Sequence, residues 1–541
     1  MILRKNNYFC NNEPYRMKPY YFLSVLLFLA AACHKEPAEV PDVEPPAEAG
    51  PIEFAVYVKY EPLMQYYSET DVYPVDVPFV ESDRMMVTGE GISGILTLDR
   101  SYSYTRGYVF SGYLDYEGPG EPPKDLVLEV RRVNESYSND GRDLAEPAVA
   151  GTIEEAVYKY GCYKGECTFG NPFVELSLSS SFFQLFIYCT TSFPDSWDRK
   201  YHLINDDKSY GPFVLEGDGG YINPVLVFPE GTVLSGPMLD FDGVARFPVM
   251  PPPATVAGES VALEGGRYYL DEIWMHDLSK EAAYVTGRKV VIYQSDHQKP
   301  AGSQIYVWDT IYPPLAPRTV CLSNVNVECD QVPMTLRVDT TLWVDGDCRI
   351  VSTDGGNPAI SVEAPYSLHI LGDGKLAAEV IGDGEGGAGI SFGGYGYMDS
   401  CGDLTIEGSV SVQAKGASGA AGIGTGIIDA YHNPAPYCGD IIVNTKGTVK
   451  AEGGARAPGI GLGRIRKCED PFIVSIGGIL VSGGIVDATG GGEDACDIGI
   501  PEGVETSGGV TVSENVTCDG VHGYHVAKRK GDVPVGYDKS L

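Results

Sequence analysis

Three sets of side chains in this 541-residue sequence have types and spacings that could do chemistry. The first is aromatic and basic: Tyr395 and Tyr397, then Tyr431, His432 and Tyr437, then Arg464, Arg466 and Lys467. Tyrosine rings stack on the apolar faces of sugars, and a guanidinium can grip a uronate carboxylate through two parallel hydrogen bonds. The second is acidic: Asp345, Asp347, Asp373, Asp383 and Glu385, all beside glycine. Hard oxygen ligands on tight turns suit Ca²⁺, while Asp-Gly is also the ordinary sequence of a turn that binds nothing. The third is sulfur. Cys401 and Cys438 each precede Gly-Asp, and Cys162 and Cys167 bracket Tyr-Lys-Gly-Glu. The first pair reads either as a cross-link or as two buried thiols. The second reads as a stapled hairpin, because Cys-x4-Cys without a matching second pair is not a zinc signature.

Chemistry of other kinds has no foothold. There is no Gly-x-Ser-x-Gly elbow and no His-Glu-x-x-His. The 8 histidines are scattered, and His522 and His525 read as surface residues of a C-terminal tail. Cleaving a polysaccharide requires paired carboxylates, or a basic residue working with Ca²⁺, at fixed separations. The repeats described next place Ser, Thr, Lys and Gln outward instead. A binding protein without catalysis is expected, with a β-helix polysaccharide lyase as the least favoured alternative.

What must position these groups is a repeat. Residues 403–426 and 440–463 align over 24 positions with their apolar residues in the same phase, and 478–499 is a degenerate copy. Isoleucine recurs at 360, 390, 423, 460 and 498, in steps of 30, 33, 37 and 38. Each unit holds three short β stretches, Leu404–Ile406, Val410–Gln413 and Ala421–Gly424, parted by glycine. Three strands and three corners make one coil of a parallel β-helix. A single coil cannot bury its inner face, but stacked coils can. Leu404, Ile406, Val412 and Ile423 should therefore stack on Ile441, Val443, Val449 and Ile460. A propeller blade would need about four longer strands. Three insertions, Tyr395–Ser400, Ile427–Tyr437 and Arg464–Pro471, fall in one phase and so should lie along one edge. Binding loops usually gather on such an edge. The aromatic and basic set belongs to it, either as a glycan groove or as cover for apolar corners.

The glycines confirm two regimes: 41 of 67 lie in residues 351–541. Before residue 350 the period is two. Ile52, Phe54, Val56 and Val58 alternate with other residues, and Gly94–Asp99, Tyr108–Tyr116 and Leu126–Val133 repeat the habit. Phe173–Tyr188 reads as a strand pair, and Val225–Phe228, Lys289–Tyr293 and Gln304–Trp308 read as strands. Only Ile153–Lys159 suggests a helix. The expectation is an all-β chain, with N-terminal antiparallel β-sandwich domains followed by a right-handed parallel β-helix.

Charge narrows the partners. Lys and Arg number 39 against 74 Asp and Glu, a formal net charge of −35. Such a chain repels phosphate backbones, which excludes nucleic acid, and it disfavours anionic lipid surfaces. Membrane attachment, if any, is by a lipid anchor. Residues 20–32 form a 13-residue apolar run after Arg16 and Lys18, too short to span a bilayer and shaped as a secretory signal. Met17 is a plausible true start. Leu29-Ala-Ala-Ala-Cys33 resembles the lipobox of bacterial lipoproteins. That resemblance implies removal of residues 1–32 and acylation of Cys33, palmitate included. Residues 33–51, rich in Pro and Glu, read as an extended tether. His34-Lys35-Glu36 resembles surface-export signals of Bacteroidetes lipoproteins, which implies an exposed place on the cell outer membrane.

Two further resemblances bear on function. Val261-Ala-Leu-Glu-Gly-Gly-Arg-Tyr-Tyr-Leu270 is similar to a strand-turn-strand of fimbrillin-like proteins of Bacteroidetes, implying a pilus subunit or accessory. Val320–Val327, Asn357–Val362, Gly387–Ile390 and Ala420–Gly424 resemble a bacterial carbohydrate-binding-domain-containing β-helix family over about residues 318–520. Members are extracellular, and the resemblance implies binding of acidic polysaccharide with Ca²⁺. The expected organisation is a signal peptide at 1–32, the tether at 33–51, sandwich-like domains at 52–148 and 149–316, the β-helix at 317–520 and a tail at 521–541. The expected function is polysaccharide binding or adhesion. The alternative is a fimbria-associated structural or tip protein, with pilus subunits as partners.

Overall fold

The computed structural model describes residues 50–525, except 67–71, 103–106, 191–199, 215–220, 242–243, 253, 255–258, 309–316, 393–400, 430–436, 467–474, 493–494, 501–503, 514–516 and 519–523. The signal segment, Cys33 and nearly all of the tether lie outside the described residues. From residue 51 onward the chain is one structural unit, and it is nearly all β.

Alternation dictates the first sheet. In the strand Ile52–Tyr60, Phe54, Val56, Val58 and Tyr60 are buried while the residues between them are not. This strand pairs antiparallel with Gly107–Tyr116 and parallel with Phe173–Leu178. Tyr163–Thr168, Val127–Asn134, Asp83–Gly89 and Ile92–Tyr102 complete a closed ring of seven. Its core holds Met85, Val87, Leu96, Phe110, Leu114, Leu128 and Val130. The helix α1 (Ile153–Tyr160) adds Ala156, Val157 and Tyr158 to that core. It starts where the Thr152 hydroxyl accepts from the Glu155 amide at 3.1 Å and the Glu155 carboxylate accepts from the Gly151 amide at 2.9 Å.

Two expectations change here. Closure of the ring takes two strands from beyond residue 148, so the first body runs to residue 178. Phe173–Leu178 and Ser181–Cys189 are consecutive strands but do not pair with each other. Ser179 and Ser180 carry the chain out of the ring and into another sheet. Cys162 and Cys167 lie along one extended stretch, five residues or roughly 16 Å apart at about 3.3 Å per residue. Both thiols are free, and there is no stapled hairpin.

The next layers form a sandwich-like arrangement. Ser181–Cys189, Val225–Phe228 and Arg267–Asp277 face a four-stranded sheet of Lys200–Asn205, Lys208–Val214, Met238–Phe241 and Ala245–Pro248. Phe183, Leu185, Ile187, Leu203, Leu239, Phe241 and Phe247 fill the space between. The sheets are not purely antiparallel. Ser181–Cys189 runs parallel to Arg267–Asp277, which runs parallel to Lys289–Tyr293. The chain crosses over between these strands and returns in the same direction, as parallel pairing requires.

That change of direction continues without a break. The first parallel ladder passes through Lys289–Tyr293, Arg318–Ser323, Thr340–Asp345, Leu368–Gly372, Leu404–Gly408, Ile441–Ala455, Ser475–Gly491 and Glu505–Val512. A second ladder contains Asn326–Cys329, Asp347–Ser352, Lys375–Val380 and Ser411–Lys415. It ends on the later halves of Ile441–Ala455 and Ser475–Gly491 and on Thr517–Cys518. A third runs from Ala283–Val285 through Ile305–Val307, Met334–Leu336, Ile360–Val362, Ile390–Phe392, Ile423–Gly424, Ile460–Gly461 and Ile498–Gly499 to Tyr524–His525. From Arg318 onward each repeat visits the three ladders once, in the same order.

The register is the one the repeats require. Leu404 pairs with Ile441, Ile406 with Val443, Val412 with Val449 and Ile423 with Ile460. Ile360, Ile390, Ile423, Ile460 and Ile498 are successive partners in the third ladder and are fully buried. Gly424 and Gly461 follow two of these isoleucines at φ +144° and +141°. A Cβ on either would run into the carbonyl of the glycine one pass further on. Parallel stacking starts at Ala283 and Lys289, well before residue 317. It reaches Tyr524–His525, inside the segment read as a tail.

Candidate functional site

The three insertions all fall between a strand of the third ladder and the next strand of the first. Tyr395, Tyr397, Tyr431, His432 and Lys467 lie outside the described residues. Arg466 is placed by its backbone, in the two-residue strand Ile465–Arg466 that pairs with Ile428–Asp429. The Arg464 amide donates to the Gly419 carbonyl at 2.8 Å, and the Arg464 carbonyl accepts from the Ile428 amide at 3.0 Å. Tyr437 leads into the next strand of the first ladder with 41% of its surface exposed. Partial burial, then the carboxylates of Asp440 and Asp403, raise its phenol. Tyr437 and Arg464 therefore share a corner of the repeat, on successive passes.

The five acids are not gathered into one cluster. Asp345 and Asp373 converge on Arg246, from the sandwich strand Ala245–Pro248. The Arg246 amide donates to Asp345 at 3.2 Å and its guanidinium to Asp373 at 3.3 Å. Asp345 also accepts from the Ser323 hydroxyl at 2.7 Å, and burial pushes its carboxyl above the usual range. Asp347 sits apart, 3.5 Å from the Lys375 ammonium. Asp383 is exposed on a later turn, and Glu385 there bridges by its backbone to Ser418. Among the described residues, no group of three or more His, Cys, Asp or Glu side chains is placed to hold a metal ion. Arg246 carried no signal in the sequence, because its partners are about 100 and 127 residues away.

Cys401 and Cys438 do come together. The Cys401 amide donates to the Tyr437 carbonyl at 2.8 Å, and both side chains are buried. A thiol–thiol hydrogen bond, reinforced by burial, holds Cys438 well above the ordinary thiol range. Both are free thiols.

One feature escaped the sequence reading. Where the third ladder begins, a cleft of about 320 Å³ opens between Arg267–Asp277 and Ala283–Val285. Trp274 forms one wall. Its indole stacks on Tyr188 with centroids 4.7 Å apart and planes 23° apart, and its Nε1–H donates to Glu272 at 2.8 Å. Gly287 makes room for this ring, since a Cβ there would come 2.8 Å from the indole Cδ1. Tyr284 forms the other side. It is 66% exposed and lies flat on Tyr306, at 5.5 Å and 7°. His276 closes the floor, with Nδ1 2.7 Å from the Thr190 hydroxyl and Nε2 3.0 Å from the Glu281 carbonyl. No repeat marks this region, so nothing in the sequence singled it out.

No model of a known protein family matches the chain, and neither does any curated protein. Among solved structures the chain is similar to fimbrial and adhesion proteins of Bacteroidetes. One is the tip fimbrial protein Mfa3 from Porphyromonas gingivalis, at 11% identity and a TM-score of 0.22, covering 41% of this chain and 94% of that one. Another is a proposed cell adhesion protein from Bacteroides fragilis, at 10% identity and a TM-score of 0.19, covering 40% and 92%. A fimbrial assembly protein from Parabacteroides distasonis gives 10% identity and a TM-score of 0.20 over 41% and 92%. At such scores the likeness carries no weight for this chain's fold or function.

Proposed function

We propose that this chain is a cell-surface adhesion protein that works with fimbriae, displaying a binding surface and catalysing nothing. The observation that carries the reading is the unbroken parallel sheet. It joins Ser181–Cys189 of the sandwich to Glu505–Val512 at the far end of the ladders. A hydrogen-bonded spine of this kind holds its two ends at a fixed separation. Nine parallel strands from Arg267–Asp277 to Glu505–Val512, at about 4.8 Å each, give a run of roughly 38 Å. In this reading the ladders wind as a right-handed parallel β-helix, the hand that parallel crossovers favour. Cys33 carries the lipid anchor and the Pro/Glu-rich tether sets the module away from the outer membrane. The five glycine-flanked acids act as turn formers and hold no Ca²⁺.

A second reading, polysaccharide binding at the insertion corner, draws on the exposed Tyr437 ring and on Arg464 one pass later. The two are separable. The test is the full-length chain in the cells that make it, compared with a deletion and with Cys33→Ser. Antibody access on intact cells, co-purification with sheared fimbriae and adherence are measured. The adhesive reading expects wild-type chain on the surface and in the fimbrial fraction, and loss of both in Cys33→Ser. A chain that antibody cannot reach, or whose deletion leaves adherence unchanged, would sink it.

A further inference from the structure

We infer that the cleft beside Tyr284 binds one ring of a neutral pyranose, a site distinct from the insertion corner. The inference gives the adhesive reading a ligand class, but the binding itself is measured on the isolated chain and does not depend on where the chain is displayed. Among the described residues Ala283–Val285 is the terminal strand of the third ladder, with Ile305–Val307 its single neighbour in that sheet. Tyr306 therefore covers one face of the Tyr284 ring, and among the described residues no further ladder strand covers the other. The pleat fixes the ring's direction: Ala283 and Val285 on either side are 1% and 2% exposed, anchored in the core. The Trp308 amide donates to the Val285 carbonyl at 3.0 Å and holds the strand down. The ring is thus a rigid, half-open platform.

The polar groups beside it suit a sugar. Glu272 is exposed, and the Trp274 indole N–H fixes one of its carboxylate oxygens at 2.8 Å. Thr286 adds a hydroxyl to the same lining. A pyranose offers a patch of C–H groups on one face and hydroxyls around its rim. An aromatic face with a carboxylate and a hydroxyl at its edge matches both. The cleft, about 320 Å³, is at the small end of ligand sites, which suits one ring held at the end of a chain. Charge selects among sugars. A net charge of −35 and a carboxylate in the lining oppose uronic and sulfated residues.

The experiment titrates the mature chain with methyl pyranosides of glucose, galactose, mannose and N-acetylglucosamine, and with methyl glucuronide, up to about 20 mM, the range in which single-ring affinities fall. Saturation-transfer NMR and tryptophan fluorescence report binding. At least one neutral pyranoside is expected to bind. Tyr284→Ala should weaken it about tenfold or more, Tyr284→Phe should change it less than about threefold, and Glu272→Gln should weaken it. Unchanged thermal unfolding of Tyr284→Ala, an exposed position, controls for folding. Binding that Tyr284→Ala leaves intact overturns the inference, as does a preference for the glucuronide or silence across the neutral panel. Surface display and adherence that persist in Tyr284→Ala cells lacking pyranoside binding would separate this site from the adhesive reading.

Discussion

At the residue scale, the strongest single arrangement is a buried cation. Arg132 donates from Nε and Nη2 to the two oxygens of Asp83, both at 2.8 Å, and neither side chain has exposed surface. Asn134 adds a bond to Asp83 at 2.7 Å, and the guanidinium lies 4.7 Å from the Phe79 ring and 4.8 Å from that of Tyr158. Breaking such a pair leaves a buried charge alone, which costs about 3–5 kcal/mol. Asp83→Asn and Arg132→Met should each lower urea stability by about that amount, and Asp83→Leu with Arg132→Met should cost less than either. Equal costs for single and double variants would refute the account. The thiols make a second prediction. Burial pushes Cys162 and Cys167 to about 11 and Cys348 to about 12. A pKa raised in the folded state contributes stability that is complete below the unfolded value of about 8.5 and fades as pH climbs through the folded one. Stability should therefore be flat from pH 7 to 8.5 and fall between about pH 9 and 12. At pH 8 these thiols should react with a disulfide reagent only after unfolding. Rapid labelling of the native chain would contradict this.

At the element scale, the repeat was legible because one physical constraint recurs at every pass. From Ile360 to Ile498 each third-ladder strand buries one isoleucine, and the last three let the next backbone approach behind it, so Ile-Gly returns at 423–424, 460–461 and 498–499. Ile423→Ala should cost about 2–5 kcal/mol as a cavity between Ile390 and Ile460. Gly461→Ala should cost more than an exposed Leu480→Ser, because its Cβ meets a carbonyl and its φ is +141°. Thermal unfolding of the three variants ranks them, and a benign Gly461→Ala would show that the passes are looser than described. The first half was legible only in part. Short apolar runs located Val225–Phe228 and Lys289–Tyr293 to the residue, and alternation located others. It could not say which strands are neighbours, because period two marks a strand and not its partner. Phe173–Leu178 and Ser181–Cys189 follow each other in the chain yet belong to different sheets.

At the scale of the whole molecule, the sandwich and the ladders are fastened by side chains distant in sequence. Arg246 reaches Asp345 and Asp373, and Lys289 forms a buried ion pair with Asp271 across adjacent strands. The Arg246–Asp373 pair is half-exposed, so Arg246→Ala should change global stability by under about 1 kcal/mol. Its effect should be local: faster amide exchange in Ala245–Pro248, with exchange in the ladders unaltered. Global loosening would mean that the contact does more than clasp.

The sequence by itself determined what repeats and what alternates. Periods near 35 residues with fixed isoleucines imposed stacking and register, because a single pass cannot bury its own apolar face. Tertiary structure decided what depends on pairing between distant segments. It closed the ring across residue 148, separated the glycine-flanked acids, brought Arg246 to two of them, and set Tyr284 on Tyr306 at the open end of a ladder. None of these leaves a local trace, because a side chain's type does not record which strand the chain will lay beside it.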